Sequence, residues 1–165
     1  YPVTPKVKIG EDAAFTYPCL LAAESLAYVD GCLYHYRNNA QSMTAAFDPH
    51  LTETIFIPLD ILRTYFDTDK RALFAQYQMY AAYLLQLWVR NQASLDCDLD
   101  RKRMRQSCAR VCQNQELRAL LASVPGALPR QVAVAVRAVQ QQKPGQLYLL
   151  IKAWNLYYKL RNGRA

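Results

Sequence analysis

Apolar residues recur at helical spacing along most of this chain. The pattern predicts helices over 11–24, 51–66, 70–92, 100–113, 116–121, 130–142 and 146–162. Proline lacks the amide N–H that a helix interior uses, so Pro18 predicts a kink or a later start of the first helix. Pro58 predicts an interruption of the second for the same reason. Valines alternate over 132–136, as in a strand, but the surrounding Ala, Arg and Gln favour a helix there.

Two short strands are expected between the first two helices. Tyr28 and Val29 precede the turn signal Asp30-Gly31, and residues 32–37 alternate in polarity. The polar residues 38–44 predict a loop. Because two isolated strands rarely form a stable sheet, the rest of their sheet is expected in a longer parent protein. The predicted fold class is therefore mainly α, with a short α/β segment over 1–46 and a multi-helix region over 47–165.

Composition supports a folded, helical chain. Of 165 residues 52% are hydrophobic, and only 5 Gly and 8 Pro are present, which argues against disorder. No stretch approaches the roughly 18 apolar residues of a membrane-spanning helix. The first residues include neither an initiator Met nor a signal peptide, so we expect the chain to begin inside a larger protein.

Charge is distributed unevenly. Residues 1–100 carry seven Lys/Arg and twelve Asp/Glu, a net charge of −5, whereas residues 101–165 carry thirteen Lys/Arg and one Glu, a net charge of +12. The basic segment (residues 101–165) is expected to attract anions. Phospholipid headgroups, nucleic acid and the acidic part of the same chain are the alternatives.

The five cysteines predict free thiols. An odd number without a signal peptide is typical of a reducing compartment. Cys108 and Cys112 lie one helical turn apart, and a metal site formed with Cys97 is one interpretation. No Cys-x-x-Cys pair occurs and the chain has only two histidines, so buried or partly buried thiols are favoured over structural zinc.

Three motifs in order carry a resemblance to a known family. They are GEDAAF at 10–15, AYVDGCLYHYR at 27–37 and QSMT at 41–44. Together they resemble the second half of the catalytic domain of bacterial family 2 glycosyltransferases, over roughly residues 8–50. The resemblance implies a GT-A type fold, a nucleotide-diphosphate sugar donor and inversion at the anomeric carbon. Residues 1–46 would then be the C-terminal part of that domain and residues 47–165 a helical extension.

The resemblance also implies catalytic residues. Inverting transfer needs a carboxylate that takes the proton of the attacking acceptor hydroxyl. Asp12 is implied as this general base, with Glu11 either supporting it or contacting the acceptor. The alternative is that both are simply acids at a helix start, where the helix dipole favours negative charge.

A second implied group surrounds the donor diphosphate. It comprises His35, Tyr36 and Arg37 with Ser42 and Thr44 of the following loop. Arg37 is implied as a diphosphate contact because a guanidinium matches phosphate geometry; pairing with a local carboxylate is the alternative. His35 is considered as a metal ligand, but a packed or hydrogen-bonded histidine is favoured.

The chain also departs from the family. Only nine residues precede Gly10, so the nucleotide-binding part and its Asp-x-Asp metal motif are missing. Asp96, Asp98 and Asp100 spell Asp-x-Asp twice, but they follow the other motifs and are interpreted as helix-capping residues. No metal site is expected in this chain. A divalent metal, Mg or Mn, is expected in the full-length enzyme, and the chain alone is expected to be inactive.

The expected partners are the nucleotide-diphosphate sugar and a glycan or lipid-linked acceptor, in the cytoplasm or peripherally at the inner face of the cell membrane. Trp154, Tyr157 and Tyr158 interleave with cationic residues, which suits an interfacial helix as well as a core helix. The alternative function is a non-enzymatic, basic helical module that contacts anionic membrane or nucleic acid. Nucleic acid is disfavoured because no known binding motif occurs. A purely structural interaction module is the third alternative.

Overall fold

A computed structural model describes residues 7, 9–35, 46–66 and 71–162 of the chain, and these residues are mainly helical. In chain order the helices are α1 (Glu11–Ala22), α2 (Leu51–Thr54), α3 (Ile57–Phe66), α4 (Arg71–Gln92), α5 (Arg101–Gln113), α6 (Gln115–Leu121), α7 (Arg130–Gln140) and α8 (Pro144–Asn162). The mainly α fold predicted from the periodicity is confirmed.

Helix α4 is the centre of the molecule. It packs against α3, α6, α7 and α8, while α8 also packs against α5 and α7. Trp88 of α4 is completely buried, and its indole N–H donates a hydrogen bond to Thr52 Oγ1 at 3.0 Å. One continuous hydrophobic core therefore joins α2 through α8. None of the described helices is long and apolar enough to cross a lipid bilayer.

Pro18, Pro58 and the alternating valines of 132–136 all lie within helices. Pro18 lies inside α1 and is buried, and the helix still begins at Glu11. Pro58 is the second residue of α3, where no intrahelical amide bond is lost, so the predicted second helix divides into α2 and α3. In α7, Val132, Val136 and Val139 are buried on one face, whereas Val134 is exposed, as a helix requires.

Side-chain caps fix two helix starts in the basic segment. Asp100 Oδ1 accepts a hydrogen bond from the Arg103 backbone N–H at 2.8 Å and caps α5. Asn114 Oδ1 accepts one from the Leu117 N–H at 2.9 Å and caps α6. The interpretation of Asp100 as a capping residue is confirmed.

The predicted α/β segment is not shown by the described residues. Residues 23–35 follow α1 without helix and without strand, and the rest of the second predicted strand lies outside the described residues. A strand needs a neighbour that accepts its backbone hydrogen bonds. The backbone hydrogen bond found within residues 23–35 is a local one, from the Leu33 N–H to the Gly31 carbonyl at 3.0 Å.

Candidate functional site

The predicted catalytic pair lies in the first turn of α1. Gly10 precedes the helix in the left-handed conformation, with φ of 87°, and no side chain caps this end. Asp12 is exposed, and its Oδ1 accepts a hydrogen bond from the neighbouring Ala13 N–H at 2.7 Å. Glu11 is half-buried beside it. Both carboxylates thus lie in the first turn of one helix, and that of Asp12 is accessible.

Tyr80 of α4 lies against this helix start. A Cβ atom at Gly10 would overlap the Tyr80 hydroxyl, so the glycine backbone and the phenol are in close contact. The Tyr17 ring of α1 meets the Tyr80 ring edge to face, with centroids 5.7 Å apart. The helical region is therefore connected to the predicted catalytic segment at a defined point.

The Tyr80 hydroxyl is buried and has no hydrogen-bond partner among the described residues. Burial raises the pKa of this phenol well above its usual value, and the negative charge of Asp12 raises it further; Tyr17, Tyr83 and Glu11 act in the same direction. A neutral phenol beside two carboxylates can donate a hydrogen bond to one of them, or to a bound hydroxyl. In the sequence, Tyr80 is one of the apolar and aromatic residues that recur at helical spacing over 70–92. The one available signal was that a tyrosine hydroxyl needs a partner.

The second predicted group is mostly outside the described residues. His35 is exposed at the end of the segment 23–35. Tyr36, Arg37, Ser42 and Thr44 lie outside the described residues, so the structure does not place them relative to Asp12.

No group of three or more His, Cys, Asp or Glu side chains arranged to hold a metal ion occurs in the part of the chain that the structure describes. Asp100 is engaged in capping α5, and Asp96 and Asp98 lie in the exposed turn before it. These aspartates, with one carboxylate already bonded to backbone, do not fit the metal expected for a glycosyltransferase.

The cysteines are free thiols of two kinds. Cys108 and Cys112 are buried, and the Cys112 Sγ contacts the Ala138 carbonyl at 3.8 Å. Burial raises the pKa of Cys108 to about 12 and that of Cys112 to about 11. Cys97 is half-buried, whereas Cys19 and Cys32 are exposed. The expectation of buried or partly buried thiols is thus confirmed for Cys97, Cys108 and Cys112, the three cysteines for which a metal site was the alternative.

Within the described residues, two ion pairs join the basic segment to the acidic part of the chain. Arg110 Nη1 lies 3.1 Å from Glu53 Oε1, and Arg63 Nη1 lies 3.5 Å from Glu116 Oε1. The Arg110–Glu53 pair is exposed on both sides, and the other joins the exposed Arg63 to the half-buried Glu116. Solvent-exposed pairs stabilise a fold by only about 0–1 kcal/mol. Docking on the acidic part therefore leaves most of the positive charge of this segment facing solvent.

Helix α8 has two apolar faces. Leu147 and Ile151 are buried, with Trp154 and Tyr158 packed beside them. Leu149, Leu156, Tyr157 and Leu160 are each more than half exposed. The helix is thus a core element that also presents apolar side chains to solvent.

Comparison of the chain with known protein families, with curated proteins and with solved structures finds no match in any of the three.

Proposed function

We propose that this chain is the C-terminal part of an inverting glycosyltransferase. The parent enzyme would transfer a sugar from a nucleotide-diphosphate sugar to a glycan, lipid-linked or cell-envelope acceptor. The observation that carries the proposal is the position of Asp12, whose carboxylate is exposed at the first turn of α1 beside Glu11. A general base must be reachable by the acceptor hydroxyl, and this carboxylate is.

In the proposed reaction, the acceptor oxygen attacks the anomeric carbon and forms the new glycosidic bond. The bond between that carbon and the diphosphate oxygen breaks, and its electron pair leaves with the nucleoside diphosphate. The acceptor hydroxyl proton passes to the Asp12 carboxylate. Glu11 holds the acceptor or supports Asp12. Arg37, with His35, Tyr36, Ser42 and Thr44, is proposed to lie near the diphosphate.

A divalent metal, Mg or Mn, would neutralise charge on the diphosphate in the parent enzyme. The described residues do not fit such a metal, and no step above uses it. Its ligands are proposed to belong to the donor-binding part of the parent.

The exposed apolar side chains of 23–35 support the proposal that this segment belongs to a sheet of the parent protein. Tyr28 is 89% exposed and Leu33 is 81% exposed, and Leu26, Val29 and Tyr34 are also largely exposed. Contiguous apolar side chains in solvent mark a surface that is normally covered. We propose that 28–29 and 32–37 form strands on the sheet of the parent catalytic domain.

The test of the catalytic proposal is the Asp12→Asn variant of the full-length parent. We expect nucleotide-sugar transfer to fall by about 10²–10⁴-fold, the usual contribution of a general base, with an unchanged unfolding transition. Asp60→Asn is the matched control, because Asp60 is also an exposed acid in a first helical turn. Transfer that survives in Asp12→Asn would overturn the assignment.

The second candidate is a non-enzymatic module that binds anionic membrane, and the exposed face of α8 favours it. Leu149, Leu156 and Leu160 follow one another at helical spacing, and Lys152 and Lys159 lie beside them. This face would also hold an enzyme peripherally at the inner face of the cell membrane.

Vesicle co-sedimentation tests the membrane candidate. Binding should require anionic lipid and should weaken when Leu156 and Leu160 are changed to Gln. The control is Leu26→Gln, because Leu26 is equally apolar and 76% exposed but lies in another segment. Binding that does not depend on lipid charge, or that is unchanged in the α8 variants, would contradict this candidate. A gel shift of random duplex DNA that disappears at high salt would favour nucleic acid instead.

A further inference from the structure

Three cations of the basic segment line one groove where α5 and α8 pack together. Arg101 and Arg105 come from α5, and Lys143 directly precedes α8. The groove is a shallow depression open to solvent, with a volume of about 580 Å³, and it is also lined by Gly145, Gln146, Tyr148 and Leu149. We call it the α5–α8 groove. Its lining contains three positive side chains and no carboxylate.

The cations of the α5–α8 groove are not neutralised within the described part of the chain. The ion pairs found there use other arginines: Arg110 with Glu53, Arg63 with Glu116, and Arg103 with Asp100. Arg103 lies on α5 between the two groove arginines, yet its charge is paired and theirs are not. Three unpaired like charges in one concave surface repel one another and concentrate a field that attracts anions.

The tyrosine of the groove contacts one of its three cations, Arg105, and one neighbouring cation, Lys152. The Arg105 guanidinium carbon lies 5.3 Å from the centroid of the Tyr148 ring, and Lys152 Nζ lies 5.7 Å from the same centroid. A guanidinium stacked on a ring keeps its N–H edge free, and that edge matches two oxygens of a phosphate group. Arg105 thus lies against the Tyr148 ring at the surface, where a phosphate could reach its guanidinium.

We propose that the α5–α8 groove binds a phosphate-bearing anion, with Arg101, Arg105 and Lys143 as its charged contacts. The phosphate can belong to a free diphosphate or to a lipid headgroup. None of the lining residues belongs to α1 or to 23–35, so the site is independent of the transfer reaction proposed above.

Gly145 offers a variant that separates binding from folding. It lies in the first turn of α8, and a Cβ atom there would meet no atom within 4 Å. Gly145→Glu should place a carboxylate among the three cations while improving the helix, because Glu is a better helix former and suits a helix start. Gly145→Gln adds the same bulk without the charge and is the matched control.

The first arm is calorimetric titration of the whole chain with inorganic pyrophosphate at low ionic strength, together with the NMR signals of the Tyr148 ring. We expect binding that weakens with salt, and about tenfold weaker binding for each of Arg101→Gln, Arg105→Gln and Lys143→Gln. Gly145→Glu should abolish binding with an unchanged or higher unfolding midpoint. Arg103→Gln and Gly145→Gln should stay within about twofold of the wild type.

The second arm uses vesicles of phosphatidylcholine with and without phosphatidic acid. Binding to phosphatidic acid that is lost in Gly145→Glu but kept when Leu156 and Leu160 are changed to Gln identifies a headgroup as the source of the phosphate. Pyrophosphate binding without this vesicle binding identifies a free diphosphate. The proposal is overturned if neither probe binds, or if Gly145→Glu and Gly145→Gln bind equally well. Because Asp12 is unchanged throughout, these outcomes say nothing about transfer and cannot be confused with its failure.

Discussion

The N-terminal region (residues 7 and 9–35) and the helical region (residues 51–162) differ in how they use their apolar side chains. In the helical region the large ones are mostly buried, and Trp88, Leu84 and Leu147 have no exposed surface. In the N-terminal region only Val7, Ala14 and Pro18 are buried. The candidate chemistry thus lies in the region with the smaller core. That region depends on contacts with other elements to be held in place.

The largest expected effect tests this difference directly. Trp88→Ala should lower the free energy of unfolding by about 3–5 kcal/mol, because it leaves a cavity in the core and removes the hydrogen bond to Thr52. Tyr28→Ala, in the exposed segment, should change it by less than about 0.5 kcal/mol. Urea unfolding of both variants measures the contrast. Comparable losses would mean that residues 23–35 are packed in solution.

The contrast also explains which parts of the fold could be predicted from the sequence. Helices α4 to α8 follow from local spacing, because each helix satisfies its own backbone and shows its apolar face every turn. The strands predicted at 28–29 and 32–37 would need a neighbouring chain segment, which local spacing does not specify, and the described residues 23–35 contain no strand. The division between α2 and α3 was signalled only by Pro58.

For the candidate site, the helix start at Glu11 and Asp12 followed from the sequence, but the contact of Tyr80 with that helix start did not. Residues 10 and 80 meet only because α1 packs on α3 beside α4 and because Gly10 has no side chain. That approach depends on tertiary packing, which no motif in the chain encodes. Of the α5–α8 groove, the sequence predicted only the excess of positive charge after residue 100.

The buried thiols predict how stability of the helical region depends on pH. Cys108 and Cys112 have their pKa raised to about 12 and about 11 from a usual 9.0, so the unfolded chain loses these protons first. Stability is therefore unaffected below about pH 9 and falls by about 1 kcal/mol per pH unit for each thiol above it.

Urea unfolding of the reduced chain from about pH 8 to about pH 11 measures this slope. Cys108→Ala should make the slope shallower, whereas Cys32→Ala, which removes an exposed thiol, should leave it unchanged. Lysines and tyrosines that titrate in the same range are common to all three chains and cancel in the comparison. Equal slopes in all three would contradict the burial of Cys108.

Alanine substitutions at two glycines test the contact between the N-terminal and helical regions. Gly10 and Gly126 both have positive φ, of 87° and 79°, so alanine at either position costs about 1 kcal/mol in backbone strain. A Cβ atom at Gly126 meets nothing within 4 Å, whereas at Gly10 it meets the Tyr80 hydroxyl and Pro58. Gly10→Ala should therefore destabilise the chain by about 1 kcal/mol more than Gly126→Ala, as measured by thermal unfolding. Equal losses would mean that α1 does not rest on Tyr80.

The last comparison concerns two tyrosines that lie one turn apart on α4. The Tyr77 hydroxyl donates a hydrogen bond to the Leu59 carbonyl at 2.6 Å, so Tyr77→Phe should cost about 1–2 kcal/mol. The Tyr80 hydroxyl is buried and has no partner in the part of the chain that the structure describes, so Tyr80→Phe should cost nothing or stabilise by up to about 1 kcal/mol. The two variants remove the same atom from the same helix, and urea unfolding compares them directly.

A loss in Tyr80→Phe as large as that in Tyr77→Phe would contradict this prediction and show that the Tyr80 hydroxyl is bonded in solution. The double variant with Asp12→Asn would then identify the partner, because a bond between the two side chains makes their separate effects non-additive. Whether Tyr80→Phe destabilises the chain thus decides between two kinds of contact. The N-terminal region is either only packed on α4 or also hydrogen-bonded to it through the proposed general base.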